Sequence, residues 1–459
     1  LKLKLNDSKA TRWGALVIVA FTMMAAYYVN DVVAPLKTML ETDLAWSSTD
    51  FGFFTSGYSF LNVFFLMLIW GGLILDRFGI RFTGKLATIL MVGGTALEYY
   101  AMTGLAGADA TLFGINEIFG YKTGVFVAFA GYSIFGVGAE VAGITVSKII
   151  AKWFKGKELA TAMGVQVALA RIGSQAGYAV AIPLARAFGI STPVLLGLVL
   201  LLGGMIAFFI FAVMDKKLDK QIEAAAIAAG TEDEEEKFSF KDVKNILVNP
   251  GFWLIALLCV LFYSCVFPFQ KFASELMIIK YGINENVAGT FAGLPALGAL
   301  ILTPVFGGFI DKRGKSASIM LLGSAMLICV HFIYAIPDIN YWLVAIVLMI
   351  ILGIAFSLVP SAMWPAVAKI FPVSQLGTAY ALIFFIQNIG LWGIPTLIGW
   401  VLDAYCISGK KPDGTNMYDY TVPMCIFTGI ACLSLIVALL LKKADKKYGY
   451  KLEEPNIQK

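Results

Sequence analysis

The chain has 459 residues, of which 59% are hydrophobic and 14% are charged, and its formal net charge is +5. Because soluble proteins carry about 25% charged residues, this composition excludes an ordinary soluble domain. Long apolar runs follow one another along the whole sequence and are separated by short basic clusters, a pattern typical of a polytopic membrane protein. The same spacing argues against nucleic-acid binding, since the positive charge is divided among the turns between apolar runs.

The apolar runs predict twelve membrane-spanning helices. They lie at about 13–33, 51–75, a third run that ends near 104, 123–150, 159–184, 191–214, 251–274, 287–310, 317–336, 341–369, 376–402 and 421–441. An even number of spans places both ends of the chain on one side of the membrane. Basic residues before the first span and after the last assign that side to the cytoplasm.

Two repeats indicate that the chain consists of two related halves. The motif Gly-x-x-x-Asp-Arg/Lys-x-Gly at 72–79 recurs at 307–314, and Arg-Ile-Gly at 171–173 recurs as Asn-Ile-Gly at 388–390. The predicted fold is therefore an all-α membrane protein of two pseudo-symmetric six-helix halves, with a site between them. The predicted segments are a cytoplasmic tail 1–12, a first half 13–214, a cytoplasmic linker 215–250, a second half 251–441 and a cytoplasmic tail 442–459.

Two charges of opposite sign stand where neighbouring spans cross the membrane interior, Glu140 in the fourth span and Arg171 in the fifth. Each costs roughly 2.5–3.5 kcal/mol at the centre of a spanning helix. Gln175 and Tyr178 continue the polar stripe of Arg171 at helical spacing. The two charges either neutralise each other as a structural pair or hold the two ends of a zwitterionic solute, and the residues alone leave both interpretations open.

Several longer motifs connect the chain to a known family. They are LDRFGIR (75–81), WFKGKEL (153–159), ARIGS (170–174), VFPF (266–269), WP-x-V (364–367), QLGTAY (375–380) and IQN-x-GL (386–391). Together with the Asp-Arg-x-Gly repeats and the central linker, they resemble the major facilitator superfamily and, within it, the branch of lysosomal dipeptide transporters. The resemblance implies the major facilitator fold, transport by alternating access, and a grip of Glu140 and Arg171 on the two ends of a short peptide.

The resemblance also implies which other residues line the central cavity and which lie at the gates. The predicted substrate-binding residues are Glu140, Arg171, Gln175, Tyr28, Asp31, Tyr263, Trp364 and Asn388. The predicted gating residues, in turns on the cytoplasmic side, are Asp76, Arg77, Arg81, Asp311 and Lys312. Asp31 stands near the end of its span, so a simply solvated carboxylate is an alternative. Glu98 precedes two tyrosines and is interpreted as part of an interfacial belt.

The predicted function is transport of small zwitterions, most of all dipeptides, by a monomer in the lipid bilayer. An organic-anion transporter that uses Arg171 as a carboxylate clamp is the first alternative, and a sensor or scaffold with a transporter fold is an alternative of another class. No catalytic or metal motif indicates an enzyme or a cofactor, and proton coupling is left open. The sequence shows neither an acidic dileucine signal nor an outer glycosylation sequon, which favours the cell (inner) membrane over a lysosomal location.

Overall fold

The computed structural model describes residues 4–107, 110–154, 158–229 and 240–455, and most of these residues are helical. The helices are α1 (Lys9–Val32), α2 (Lys37–Leu44), α3 (Ser48–Phe64), α4 (Met67–Thr103), α5 (Thr123–Trp153), α6 (Leu159–Phe188), α7 (Thr192–Ala229), α8 (Phe240–Val248), α9 (Pro250–Tyr281), α10 (Glu285–Ala292), α11 (Leu294–Arg313), α12 (Ser316–Ala335), α13 (Trp342–Ile370), α14 (Val373–Tyr405) and α15 (Thr421–Tyr448). Two antiparallel hairpins interrupt them: β1 (Glu117–Ile118) with β2 (Tyr121–Lys122), and β3 (Ile407–Lys410) with β4 (Asn416–Tyr418).

All twelve predicted apolar runs fall on these helices. Within the described ranges, nine helices are long and apolar enough to cross a membrane, and the pair α3 and α4, bent by 58°, raises the number to ten. The multi-span helical architecture is thus confirmed, whereas the count of twelve stays a prediction. We call residues 9–229 the first half and residues 250–448 the second half.

The repeated motif forms the same kind of turn in both halves. Its last glycine has a positive φ in each copy, 74° at Gly79 and 71° at Gly314. Glycine is favoured there because the left-handed region disfavours residues with a Cβ atom. Gly79 breaks α4 into two helical parts, and Gly314 separates α11 from α12. The spacing of the motif therefore marks equivalent turns between neighbouring spans.

The second repeat places equivalent close contacts in the two halves. A Cβ atom on Gly173 of α6 would lie 2.1 Å from the carbonyl oxygen of Met24 in α1. A Cβ atom on Gly390 of α14 would lie 2.2 Å from the hydroxyl of Ser264 in α9. Small residues at these points allow each helix pair to approach closely. The packing of α6 on α1 thus corresponds to the packing of α14 on α9.

The sixth predicted span ends at Met214, but α7 continues to Ala229. The end of the span stays a prediction, because a helix can continue beyond the membrane. Asp215, the next residue, is buried and accepts hydrogen bonds from Lys152 Nζ (2.8 Å) and Trp153 Nε1 (2.9 Å). A charge with such partners is compatible with an unbroken helix. The predicted linker thus begins as helix, its middle at 230–239 lies outside the described residues, and its last part contains α8.

The described ends of the chain and the connection between the halves share one face of the bundle. The Leu5 N–H donates to Gln221 Oε1 at 2.7 Å, and the Tyr450 hydroxyl donates to Asn249 Oδ1 at 3.1 Å. We call this the terminal face. The opposite face, which carries both hairpins, is the distal face.

The orientation of the two faces has a direct test. If the terminal face is cytoplasmic, a cysteine at Phe113, which is 95% exposed in the distal loop, should react with an impermeant maleimide added to intact cells. A cysteine at the exposed Glu223 on α7 should react only after the membrane is opened. Labelling of Glu223→Cys but not Phe113→Cys in intact cells would reverse the orientation.

Candidate substrate-binding site

Arg171 lies between two aromatic rings from different helices. Its guanidinium carbon is 5.5 Å from the ring centre of Tyr27 in α1 and 4.9 Å from that of Phe356 in α13. Phe356 belongs to the second half, so Arg171 faces the space between the halves. Within the described residues, no carboxylate lies within the 4 Å of an ion pair with Arg171. Aromatic contacts stabilise the flat faces of the guanidinium and leave its edge N–H groups available for a carboxylate.

Glu140 of α5 has a different partner. The Tyr58 hydroxyl donates to Glu140 Oε1 at 2.9 Å, and the side chain is half-buried. In this conformation Glu140 and Arg171 are therefore not paired with each other. Arg171, Glu140 and Asp31 all lie close enough to the half-buried Tyr27 to act on its hydroxyl electrostatically, so the three charged groups belong to one region of the bundle.

An ion pair joins the two halves beside this region. Lys271 Nζ lies 3.3 Å from Asp31 Oδ1 and donates to the Asn30 carbonyl at 2.6 Å. The hydroxyls of Ser174 and Tyr132 complete the group, bonding to Asp31 and Asn30 respectively. Asp31 is 7% exposed, so the alternative of a solvated carboxylate is wrong. Sequence reasoning missed Lys271, although it is the single charged residue of the predicted span 251–274.

Aromatic side chains from the second half extend from Arg171. Tyr263 stacks on Phe267 with ring centres 5.5 Å apart, and both rings meet Phe356 edge-on. Trp364 Nε1 donates to the Tyr263 hydroxyl at 3.3 Å and stacks on Phe384 at 4.8 Å. The two predicted aromatic residues thus form one wall that adjoins Arg171 through Phe356.

Two predicted polar residues lie on the flanks of this region. Asn388 is buried, and its amide donates to the Phe384 carbonyl at 2.9 Å while Oδ1 has no partner among the described residues. Gln175 donates to the Thr290 carbonyl of the second half at 3.3 Å. Gln175 therefore helps to join the halves one turn beyond Arg171.

Two other residues lie apart from this group. The Tyr28 hydroxyl donates to the Pro193 carbonyl at 3.2 Å, which places it in the packing of α1 against α7. Glu98 is fully buried rather than part of an interfacial belt, and neither of its carboxylate oxygens has a hydrogen-bond partner in the described ranges. The belt interpretation is wrong because α4 and α5 are in close contact here: a Cβ on Gly131 would lie 2.9 Å from the Glu98 nitrogen.

The predicted gating residues of the first half lie at the terminal face. Asp76 pairs with Lys148 at 3.1 Å, and Arg81 pairs with Asp219 at 2.7 Å. The Arg77 guanidinium lies over the Phe78 ring at 5.6 Å. In the second half, Asp311 is half-buried and Lys312 is exposed. The ion pairs of Asp76 and Arg81 thus connect helices within the first half.

Loss of the Asp76–Lys148 pair is expected to change the rate of transport rather than the affinity for ligand. Both side chains are exposed, 60% for Asp76 and 38% for Lys148, so the pair contributes at most about 1 kcal/mol. We expect Asp76→Asn to slow transport in liposomes while ligand affinity changes by less than about fivefold. Lys148→Gln removes the other partner of the same ion pair and should have the same effect. Loss of ligand binding in a folded Asp76→Asn protein would contradict a gating role.

The distal face carries a buried group of charges that we call the distal latch: Lys37, Glu41, Glu275, Lys411 and Tyr420. Lys37 Nζ lies 2.9 Å from Glu41 and 2.5 Å from Glu275 of the second half. Lys411, from hairpin β3–β4, lies 3.6 Å from Glu41 and 3.8 Å from Glu275. Burial, together with the charge of Glu275, raises the pKa of Tyr420 well above its usual value, so its hydroxyl stays a donor to Glu275.

The start of helix α3 makes a further contact between the halves at the distal face. The backbone N–H groups of Ser48 and Thr49, at the start of α3, donate to the Asp403 carboxylate at 3.3 and 2.5 Å. A carboxylate at a helix N-terminus is stabilised by the free N–H groups and the helix dipole. Asp403 lies at the end of α14, so this contact also joins the halves. Together with the distal latch, it closes the distal side.

The terminal face shows the opposite arrangement among the described residues. Arg12 pairs with Glu158 at 2.8 Å, and this hydrogen-bonded guanidinium lowers the pKa of the Glu158 carboxyl. Lys369 donates to the Glu454 carbonyl at 2.6 Å. The first contact lies within the first half and the second within the second half and its tail. The described conformation is thus joined across the halves at the distal side and around Lys271.

Comparison with known proteins gives a consistent picture. The family model described as Major Facilitator Superfamily matches residues 16–395 and 272–454. The Homo sapiens lysosomal dipeptide transporter MFSD1 is 29% identical over 454 residues, which cover 96% of this chain and 88% of that protein. The Danio rerio protein of the same name is 26% identical over 441 residues, covering 94% and 86%.

Solved structures share the fold at low sequence identity. A peptide transporter POT in complex with sulfate has a TM-score of 0.68 at 14% identity and covers 97% of this chain and 96% of its own. The nucleoside transporter NupG has a TM-score of 0.69 at 12% identity and covers 93% and 98%. At these identities, the likeness concerns the fold alone.

Proposed function

Since the chain belongs to the Major Facilitator Superfamily and is a multi-pass membrane transporter, we propose that its substrates are small zwitterions, dipeptides above all. The observation that carries the proposal is that Arg171 and Glu140 are not paired with each other. Each has a neutral aromatic partner instead, which leaves an anion-binding and a cation-binding group in the region around Tyr27. The name of the curated relatives, lysosomal dipeptide transporter, supports the same class of substrate.

The roles of the two charges follow from their chemistry. The guanidinium of Arg171 presents paired N–H groups that match the two oxygens of a peptide carboxylate. Glu140 accepts the peptide ammonium, while the Tyr58 hydroxyl holds one of its oxygens in place. The wall of Tyr263, Trp364 and Phe356 contacts the peptide side chains. Such apolar contact suits side chains of different shape, because it requires no matched hydrogen bonds.

Closure at the distal face supports access from the terminal face. In the alternating-access cycle that we propose, a peptide would enter or leave on the terminal side in this conformation. The distal latch and the Lys271–Asp31 pair would separate before the site opens to the other side. Basic residues at the terminal face favour a cytoplasmic assignment for it, and we propose the cell membrane as the location.

A thermal-shift experiment on purified protein tests the proposed substrate. Ligand at 100 times its Kd stabilises the folded state by about 2.7 kcal/mol, so a true substrate should raise Tm clearly. We expect Ala-Ala to stabilise the protein, and both N-acetyl-Ala-Ala and Ala-Ala amide to do so only at much higher concentration. Equal stabilisation by N-acetyl-Ala-Ala or by simple dicarboxylates would contradict the zwitterion proposal and favour an organic-anion substrate.

A further inference from the structure

A groove on the outer surface of the first half, between α4 and α7, lies apart from the site described above. Its volume is about 520 Å³. It is lined by Lys85, Met205, Ile206, Phe209, Ile210 and Val213. Ile206, Ile210 and Val213 are each more than half exposed, so these side chains face the surroundings of the bundle. In a membrane-spanning segment those surroundings are lipid.

Lys85 is the single charged group in this lining. Its ammonium lies 5.1 Å from the ring centre of Phe209, and no described carboxylate lies within ion-pair distance of it. It stands six residues beyond the turn at Gly79, about 9 Å along the helix. A lysine at this depth is costly unless its ammonium extends to the water or to an anion at the membrane surface.

The neighbouring cation on the same helix face already has partners. Arg81, one turn before Lys85, pairs with Asp219 at 2.7 Å and with Asp215 at 3.6 Å. The carboxylates of Asp215 and Asp219 in α7 are thus already paired, at a level closer to the terminal face than Lys85. The rest of the groove, along α7, is apolar, and it matches a hydrocarbon chain better than a water-soluble ligand.

We propose that this groove binds one anionic phospholipid of the leaflet at the terminal face. The lipid phosphodiester would contact the Lys85 ammonium, and an acyl chain would lie along Ile206, Ile210 and Val213. Basic pockets between spanning helices bind anionic headgroups through this combination of charge and apolar surface. The lipid would brace α4 against α7 next to the turn that contains Asp76 and Gly79.

Native mass spectrometry of the full-length protein, released from vesicles of equal phosphatidylglycerol and phosphatidylcholine, tests the proposal. We expect the wild-type protein to retain one phosphatidylglycerol preferentially. Lys85→Gln should lower this preference about fivefold, the ratio that corresponds to about 1 kcal/mol for one basic residue near an anionic surface. Lys85→Arg should keep it, and Lys217→Gln, which removes an exposed lysine of α7, is the matched charge control.

Two further arms separate the outcomes. Ile206→Trp fills the groove without changing the charge and should also lower lipid retention, which keeps the test valid if Lys85→Gln folds poorly. Soluble glycerol phosphate should not compete, because it lacks an acyl chain. Equal retention of both lipids by the wild-type protein, or an equal loss in Lys85→Gln and Lys217→Gln, would overturn the proposal.

Discussion

Arg171→Lys is expected to lower the affinity for a dipeptide about ten- to a hundred-fold, the loss that corresponds to one charged hydrogen-bonded contact of about 1.5–3 kcal/mol. A lysine keeps the charge but lacks the bidentate fork. It also loses the flat contacts with Tyr27 and Phe356. Isothermal titration of the purified variant with Ala-Ala measures the effect. Arg186→Lys is the matched control on the same helix, because Arg186 is exposed and pairs with Glu285 at the surface.

Glu140→Gln should distinguish the amine end of the substrate from the acid end. We expect weaker binding of free dipeptides and little change for N-acetylated ones, which present no ammonium to position 140. The structural-pair interpretation makes a different prediction. Under it, each single neutral variant folds poorly, and the double variant Glu140→Gln with Arg171→Gln recovers both Tm and uptake. Recovery of uptake in the double variant would refute the zwitterion clamp.

Glu275→Gln should open the distal side. Lys37 is 1% exposed, and Glu275 is its partner from the second half. After this substitution the ammonium groups of Lys37 and Lys411 share the single carboxylate of Glu41, so the cluster keeps one uncompensated positive charge. An uncompensated charge in a buried ion pair costs about 3–5 kcal/mol, since it stays desolvated. This cost falls on the distally closed state alone, because the halves separate on opening. We therefore expect a shift of more than a hundredfold toward a distally open population.

Spin labels on the distal face of each half, at Glu117→Cys and Asp338→Cys, report this opening as a longer distance. The matched control is Glu285→Gln, which breaks the Arg186–Glu285 pair between the halves. That pair is exposed, 42% and 37%, so its loss should change the distance distribution little. An unchanged distribution in Glu275→Gln would show that apolar contacts, rather than the distal latch, hold the closed state.

Part of this arrangement could be predicted from the sequence. Arg171 is the single charge of its apolar run and Glu140 the single charge in the middle of its run. The repeated Gly-x-x-x-Asp motif marks turns that the structure shows at Gly79 and Gly314. Lys271 carried the same signal as Arg171, a lone charge in a span. The pairing of Lys271 with Asp31 could be recognised only from the three-dimensional packing, because these two residues are 240 positions apart.

The distal latch could not be predicted in this way. Lys37 and Glu41 follow the first apolar run, and Lys411 lies in a loop that looks merely polar. Periodicity describes single elements, whereas these charges are buried only because the halves meet and the β3–β4 hairpin lies between them. The continuation of α7 beyond the predicted span also involves tertiary contacts, since the partners of Asp215 come from another helix.

The composition of the distal latch has an electrical consequence. Lys37 and Lys411 carry two positive charges, and Glu41 and Glu275 carry two negative ones, so the cluster is neutral as a unit. A membrane voltage does work of about 2.3 kcal/mol per elementary charge per 100 mV. When the latch comes apart, each half keeps one positive and one negative charge of it: Lys37 with Glu41 in the first half, and Lys411 with Glu275 in the second. The latch itself should therefore add little to any difference in the rate of distal closing between polarised and depolarised vesicles.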